Sequence, residues 1–401
     1  MNWDALPFST KLAIRQLRHI GLRLIGTFSG VCVAVVLVFV QLGFNTALIG
    51  SVQNLPAALA GSVFLTGPQF ETLITNPPWF QRSLLYEARA VTGVEDARPF
   101  YAVLNQVRNT ESGAATVVRF MAFDPAQPVF DQADFNAALP WLALPRTAIL
   151  DRRSRRNFGP LIDRLSARRL EDAGEERVYL QIHTAVLAPE MRVLGLYRLG
   201  PDFTIDGSFT MGHLTYSSYF QYPLDRVAIG VVRIAAGEQP AIVRDRLAAA
   251  LGDRARVYTK DDLLRSERNY LLFQTPMGVV LGFGMIVGVF IGAVFVLQVL
   301  HNIIDANLSE YAVLRAMGYG DGFFIGLVLQ IAVLIGVGAF IPSVGVTALI
   351  YLLAENVTKL TFALTPMSVT TVLAASLIMS GVAALFAIGK LRRSNPIELF
   401  A

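Results

Sequence analysis

The chain has 401 residues, of which 54% are hydrophobic and only 16% charged, and its formal net charge is +4. That balance is too apolar and too charge-poor for an ordinary soluble protein of this size, and the small net charge gives no reason to expect a nucleic acid partner. One cysteine, Cys32, excludes an intrachain disulfide and a cysteine-built zinc site.

Residues 1–23 place Lys11, Arg15 and Arg18 on one helical face, with Ala13, Leu17, Ile20 and Leu24 at helical spacing on another. The pattern predicts a cytoplasmic amphipathic helix whose basic residues meet membrane lipid headgroups. The apolar run from Leu24 to Ile49 exceeds a signal-peptide core and lacks a convincing cleavage site, so 24–50 reads as the first transmembrane helix.

Between 51 and 275 lies the one large non-membrane region. Its basic and acidic residues nearly balance, which argues against a polyanionic ligand. Strand-like runs occur at 62–67, 116–123, 177–187, 227–234 and 255–259. Gln239 to Leu251 reads as a helix stopped by Gly252, and 261–276 as a helical stalk leading into the next span through Thr275 and Pro276. The mixture predicts an α+β domain with two subregions. The basic run from Arg152 to Arg156, followed by Arg164, Arg168 and Arg169, reads as a solvated face, with an acidic partner or headgroups as the alternative.

Three further transmembrane helices are expected at 277–300, 322–354 and 368–389, joined by a cytoplasmic loop at 301–321 and a short external loop at 355–367. None of the three holds Asp, Glu, Lys or Arg, which argues against an ion-coupled carrier. Gly284, Gly288 and Gly292 form a small-residue ridge suited to close helix packing, within the chain or against a dimer mate. Pro342 predicts a kink in the third span, or a helix that extends past the bilayer. Basic residues flanking the first and last spans, including those of the tail at 390–401, place both termini in the cytoplasm of a multi-pass inner-membrane protein and the 51–275 domain outside it.

Chemistry is sparse. There is no phosphate-binding loop, the four histidines share no ligand spacing, and no catalytic, metal or cofactor site is read. The aromatic cluster at 208–222, with His213, Ser217 and Ser218, reads as packing or an interfacial loop rather than a nucleophile with its base. The loop at 301–321 holds a polar-capped segment, Asn307 to Gly320. Asn307 and Glu310 have the spacing of a capping box, and Gly318 is a natural left-handed stop. So short a helix is marginal alone and needs a docking partner.

Seven segments carry a resemblance: VQLGFNTAL at 40–48, GPQF from Gly67, RFMAFDPAQPVF at 119–130, PLDRVAIGVVRI at 223–234, RNYLLFQTPMG at 268–278, LSEYAVLRAMGY at 308–319 and KLRRSNPIELF at 390–400. In this order and topology they resemble the DevC-type permeases of the MacB/FtsX superfamily of ABC transporters. The resemblance implies a dimeric permease without an ATPase of its own. A separate cytoplasmic ABC ATPase subunit would hydrolyse ATP, and a periplasmic membrane-fusion adaptor with a TolC-like outer-membrane channel would complete an export route for a lipid, glycolipid or other amphipathic substrate. It also implies that 308–318 is the ATPase-coupling helix, with Tyr311, Leu314 and Met317 as apolar contacts, Glu310 and Arg315 fixing register and Gly318 closing the helix. The alternative is an FtsX-like transmitter that regulates an external partner without transport. A membrane-anchored enzyme is the more distant reading.

Overall fold

The computed structural model describes residues 8–19, 22–108, 115–167, 176–179, 190–200 and 202–393. In chain order the elements are α1 (Phe8–His19), α2 (Leu22–Ala58), β1 (Val63–Thr66), β2 (Phe80–Gln81), α3 (Ser83–Arg89), β3 (Val94–Arg108), β4 (Ala115–Phe123), α4 (Ala133–Leu142), β5 (Thr147–Asp151), α5 (Gly159–Ala167), β6 (Glu176–Tyr179), β7 (Glu190–Tyr197), β8 (Gly207–Gly212), α6 (His213–Phe220), β9 (Arg226–Val227), β10 (Ile229–Ile234), α7 (Pro240–Leu251), β11 (Arg256–Thr259), α8 (Lys260–Asn269), α9 (Pro276–Ala306), α10 (Leu308–Ala316), α11 (Asp321–Thr358) and α12 (Pro366–Arg393). They form two compact units. One holds residues 1–46, 277–353 and 362–401, the other 47–276 and 354–361.

The first unit is helical. Four helices, Phe28–Ala58 within α2, Pro276–Ala306, Asp321–Thr358 and Pro366–Gly389, are long and apolar enough to cross a membrane. They overrun the expected spans. Helix α2 continues to Ala58 instead of ending at 50, and α11 runs unbroken through Pro342 for 38 residues. At about 1.5 Å per residue α11 is about 57 Å long, more than the roughly 30 Å of hydrocarbon requires. Aliphatic side chains of all four helices, among them Val35, Val299, Ile331 and Ala383, share one core cluster. Outward-facing residues of α9 such as Phe283, Ile286 and Phe290 are each 68% exposed, as suits a helix bathed in lipid.

The small-residue ridge packs within the chain. A Cβ at Gly284 would meet Gln41, one at Gly288 would touch Val38, and one at Gly292 would lie 2.3 Å from the Met379 sulfur and 3.3 Å from Ala34. The ridge therefore serves α2 and α12, and the expected packing against a dimer mate is not needed to explain it.

The second unit is built on a sheet of order β11-β1-β10-β3-β4-β8-β5-β7-β6 among the described residues. Strand β3 stitches two subregions together. Its first half, Val94 to Phe100, pairs with β10, while its second half, Tyr101 to Arg108, pairs with β4. The first subregion is an antiparallel β11-β1-β10-β3 sheet with α3 and α7, a βαββαβ ferredoxin-like arrangement into which residues 101–225 are inserted. The inserted subregion holds β4 to β8 and mixes parallel with antiparallel pairs. Two apolar clusters sandwich the sheet: Val63, Leu65, Leu85 and Leu247 share one, Phe64, Leu263, Phe130 and Phe135 the other. Burial on both faces explains why β4 reads as a nearly continuous apolar run, and it leaves the alternating β8, GSFTMG, buried throughout.

Several expectations are revised in detail. The run at 227–234 divides into β9 and β10, and of 177–187 only residues 177–179 lie among the described ones. The aromatic cluster at 208–222 is β8 followed by α6, with Tyr216, Tyr219 and Phe220 in the core, so it is packing and not an interfacial loop. The basic run is only partly solvated. Arg153 donates to Thr361 Oγ1 at 2.7 Å and to the Lys359 carbonyl at 3.3 Å, and Arg155 pairs with Asp206 at 3.1 Å. Arg168 and Arg169 lie outside the described residues.

The stalk begins with a formed capping box, the Thr259 hydroxyl accepting from the Asp262 N–H and Asp262 from the Thr259 N–H. It passes from α8 through a π-helical turn at Tyr270–Gln274 to an extended Thr275, where regular helix stops before Pro276.

Candidate docking site on the helical unit

Helix α10 follows α9 after a single residue, Asn307. That closeness defeats the expected capping box. The Asn307 side chain donates to the Ile303 carbonyl at 2.7 Å, closing the end of α9, and makes no cap bond to α10. Glu310, the expected reciprocal partner, instead accepts from Gln16 Nε2 of α1 at 3.4 Å. The other end is as expected. Gly318 has φ of +95°, and the Tyr319 N–H reaches the Leu314 carbonyl while the Gly318 N–H reaches that of Arg315, a Schellman motif.

The inner face of α10 is fixed by Tyr311, which is only 4% exposed. Its hydroxyl donates to Gln16 Oε1 at 2.9 Å, and its ring meets Phe324 edge-on at 5.8 Å. Burial pushes the phenol up to about 12. Tyr311 is thus a packing residue, and the expectation that it reaches outward to a partner is corrected. Gln16, unremarked in the sequence, is itself buried and links α1 to both Glu310 and Tyr311. Arg315 is also engaged within the chain. Its guanidinium lies 2.6 Å from the Asp321 carboxylate and 5.8 Å from the Phe324 ring centre. Arg315 therefore braces the turn after α10 rather than standing free to set a partner's register.

The outer face is apolar and open. Val313 is 57% and Met317 69% exposed, whereas Leu314 is half-buried against the helical core. Beside them lies a groove of about 390 Å³ lined by Leu12, Arg15 and Gln16 of α1 and by Asn307, Glu310, Val313 and Leu314. Helix α1 is held there by Ala13, which is fully buried, and by Thr10, whose hydroxyl donates to Gln330 at 3.3 Å. Arg15 is exposed at the groove and Lys11 is half-buried, while the Arg18 side chain lies outside the described residues. The result is an apolar knob beside a groove with one basic and one acidic rim residue. Among the described residues no group of His, Cys, Asp or Glu is arranged to hold a metal ion.

Residues 282–396 match the family model described as FtsX-like permease C-terminal. No curated protein matches the chain. Among solved structures the chain is similar to the periplasmic region of MacB from Actinobacillus actinomycetemcomitans, at 9% identity and a TM-score of 0.33, over 53% of this chain and 95% of that one. It is also similar to the extracellular domain of the noncanonic ABC-type transporter YknZ from Gram-positive bacteria, at 14% identity and a TM-score of 0.32, over 49% of this chain and 99% of that one. The matched stretch takes in most of α9 and the whole of α10, α11 and α12, and over these residues the chain is similar to the C-terminal part of FtsX-like permeases.

Proposed function

We propose that this chain is the membrane-spanning subunit of an ATP-driven export system, and that a separate cytoplasmic ABC ATPase docks on the outer face of α10 and the adjoining groove with α1. The observation that carries the reading is an exposed apolar knob, Val313 and Met317, on a short helix between two spans of an FtsX-like permease domain. No phosphate-binding loop is read in these 401 residues, and in this reading the energy of hydrolysis enters through such a contact. Exposed apolar side chains beside a shallow groove are the features that anchor a protein interface.

In this reading the termini and α10 are cytoplasmic, the sheet unit is periplasmic, and the stalk α8 carries motion to it. The DevC-like segments support an assembly of two copies with a periplasmic adaptor and a TolC-like outer-membrane channel, exporting a lipid, glycolipid or other amphipathic molecule. The test is a mild-detergent pull-down of the tagged chain from its native membrane, beside a Val313→Asp/Met317→Asp variant. Both positions are exposed, so the variant is expected to fold and melt like the parent while losing co-purifying ATPase, because a charge enters an apolar contact. A parent that brings down no ATPase, or a variant that retains it, overturns the proposal.

A further inference from the structure

Glu267 lies on α8 and is completely buried. A buried carboxylate is costly unless its oxygens are satisfied. One oxygen lies 2.7 Å from the Thr72 hydroxyl, which donates to the carboxylate and can accept the proton of the neutral acid, and the other accepts from the Leu73 N–H at 2.8 Å. The carbonyl of the same Leu73 accepts from Arg119 Nη2 of β4 at 2.7 Å. Arg119 in turn pairs with Asp202 at 3.1 Å, with side chains 6% and 3% exposed. Leu73 is therefore held on one side by the stalk helix and on the other by a strand of the inserted subregion. Nearby, the Phe70 carbonyl is held by Arg256 at 3.0 Å, so the segment has little slack between its anchors.

The charges of this cluster do not balance when all are ionised. Among the described residues the charged groups that face Glu267 are Arg119 and Asp202, one cation and one anion already paired with each other. Glu267 is the surplus acid, and a proton on it makes the cluster neutral. We propose that Glu267 is a proton-controlled latch between the stalk helix and the inserted subregion, closed while it carries a proton and released when it ionises. Its use in transmission rests on the export reading above; the latch itself does not.

The sign follows from linkage. Burial, the largest influence, pushes Glu267 from an ordinary 4.5 up to about 7, against the pull of its hydrogen bonds and Arg119 and with the push of Asp202. Once the latch opens, the carboxyl meets water and returns to its ordinary value. The closed form thus binds the proton more tightly, so acidification closes the latch and a rise through neutrality opens it. For such a shift the opening constant rises about 25-fold between about pH 5.5 and about pH 8.

Hydrogen exchange on the full chain in detergent, read on the peptide that contains Leu73, measures this opening directly. Rates are corrected for intrinsic base catalysis, with the amides of β10 as the internal reference. The parent is expected to show the roughly 25-fold rise and Glu267→Gln a flat profile. In Asp202→Asn, Arg119 is left to Glu267 alone, and the rise is expected to level off at lower pH and to be smaller than the parent's. A flat parent, or the parent's slope retained in Glu267→Gln, overturns the latch. Should Glu267→Gln not fold, the parent and Asp202→Asn profiles decide it. The exchange needs no ATPase, so failure of the export reading leaves this result standing.

Discussion

The hydroxyl of Tyr311 and the side chain of Gln16 form a buried pair that orients the whole of α10. Tyr311→Phe keeps the ring against Phe324 but strips the Gln16 carbonyl of its donor. Leaving a buried acceptor unpaired is expected to cost about 1–3 kcal/mol, seen as a lowered melting point of the purified chain. Met317→Ala, by contrast, removes an exposed side chain and is expected to stay within about 0.5 kcal/mol of the parent. If both variants melt alike, the assignment of inner and outer faces is wrong. The sequence displayed this helix and its glycine stop, because Gly318 needs only its own backbone to act. It could not display the facing of Tyr311, which depends on α1 lying alongside, nor the behaviour of Asn307. With one residue between two helices, that side chain had two ends to cap, and it took the carbonyl of Ile303.

Among elements, the spans were legible and the strands only in part, for reasons of chemistry. A run without charges longer than a bilayer is thick has few alternative fates. Strand β3 was hidden because Glu95, Asp96, Arg98 and Pro99 interrupt its apolar pattern, and because it exchanges one partner for another between Phe100 and Tyr101. The glycine ridge of α9 was visible, but its partner was not. A matched pair of substitutions tests the partner found here. Gly292→Leu must push into Met379 and Ala34, and is expected to cost about 1–3 kcal/mol in the detergent melt. A Cβ at Gly282 meets nothing within 4 Å, so Gly282→Leu is expected to leave the melt unchanged. Equal effects at the two positions, or a change confined to oligomeric state at Gly292, would return the ridge to an interface between copies.

At the scale of the whole molecule, the basic residues from which sidedness is read are not those that build either core. The basic flanks of the first and last spans belong to the helical unit, whereas the sheet unit has nearly balanced charge and carries no topogenic signal of its own. Its side of the membrane is therefore inherited from the spans, and a direct probe must sit on its surface. Ser154, in the basic run, is a poor position for one, since it is 4% exposed and its hydroxyl lies 2.3 Å from where a Cβ on Gly207 would stand. Asp253, exposed between α7 and β11, is a better one. In a Cys32→Ser background, which removes the chain's one native thiol, Asp253→Cys should react with a membrane-impermeant maleimide in intact cells whose outer membrane has been permeabilised. The same label should reach a cysteine at the exposed Ser309 only after the inner membrane is opened. Labelling in the opposite order would put the sheet unit in the cytoplasm. Helix α10 would then face away from any cytoplasmic ATPase, and the coupling role proposed for Val313 and Met317 would fall with it.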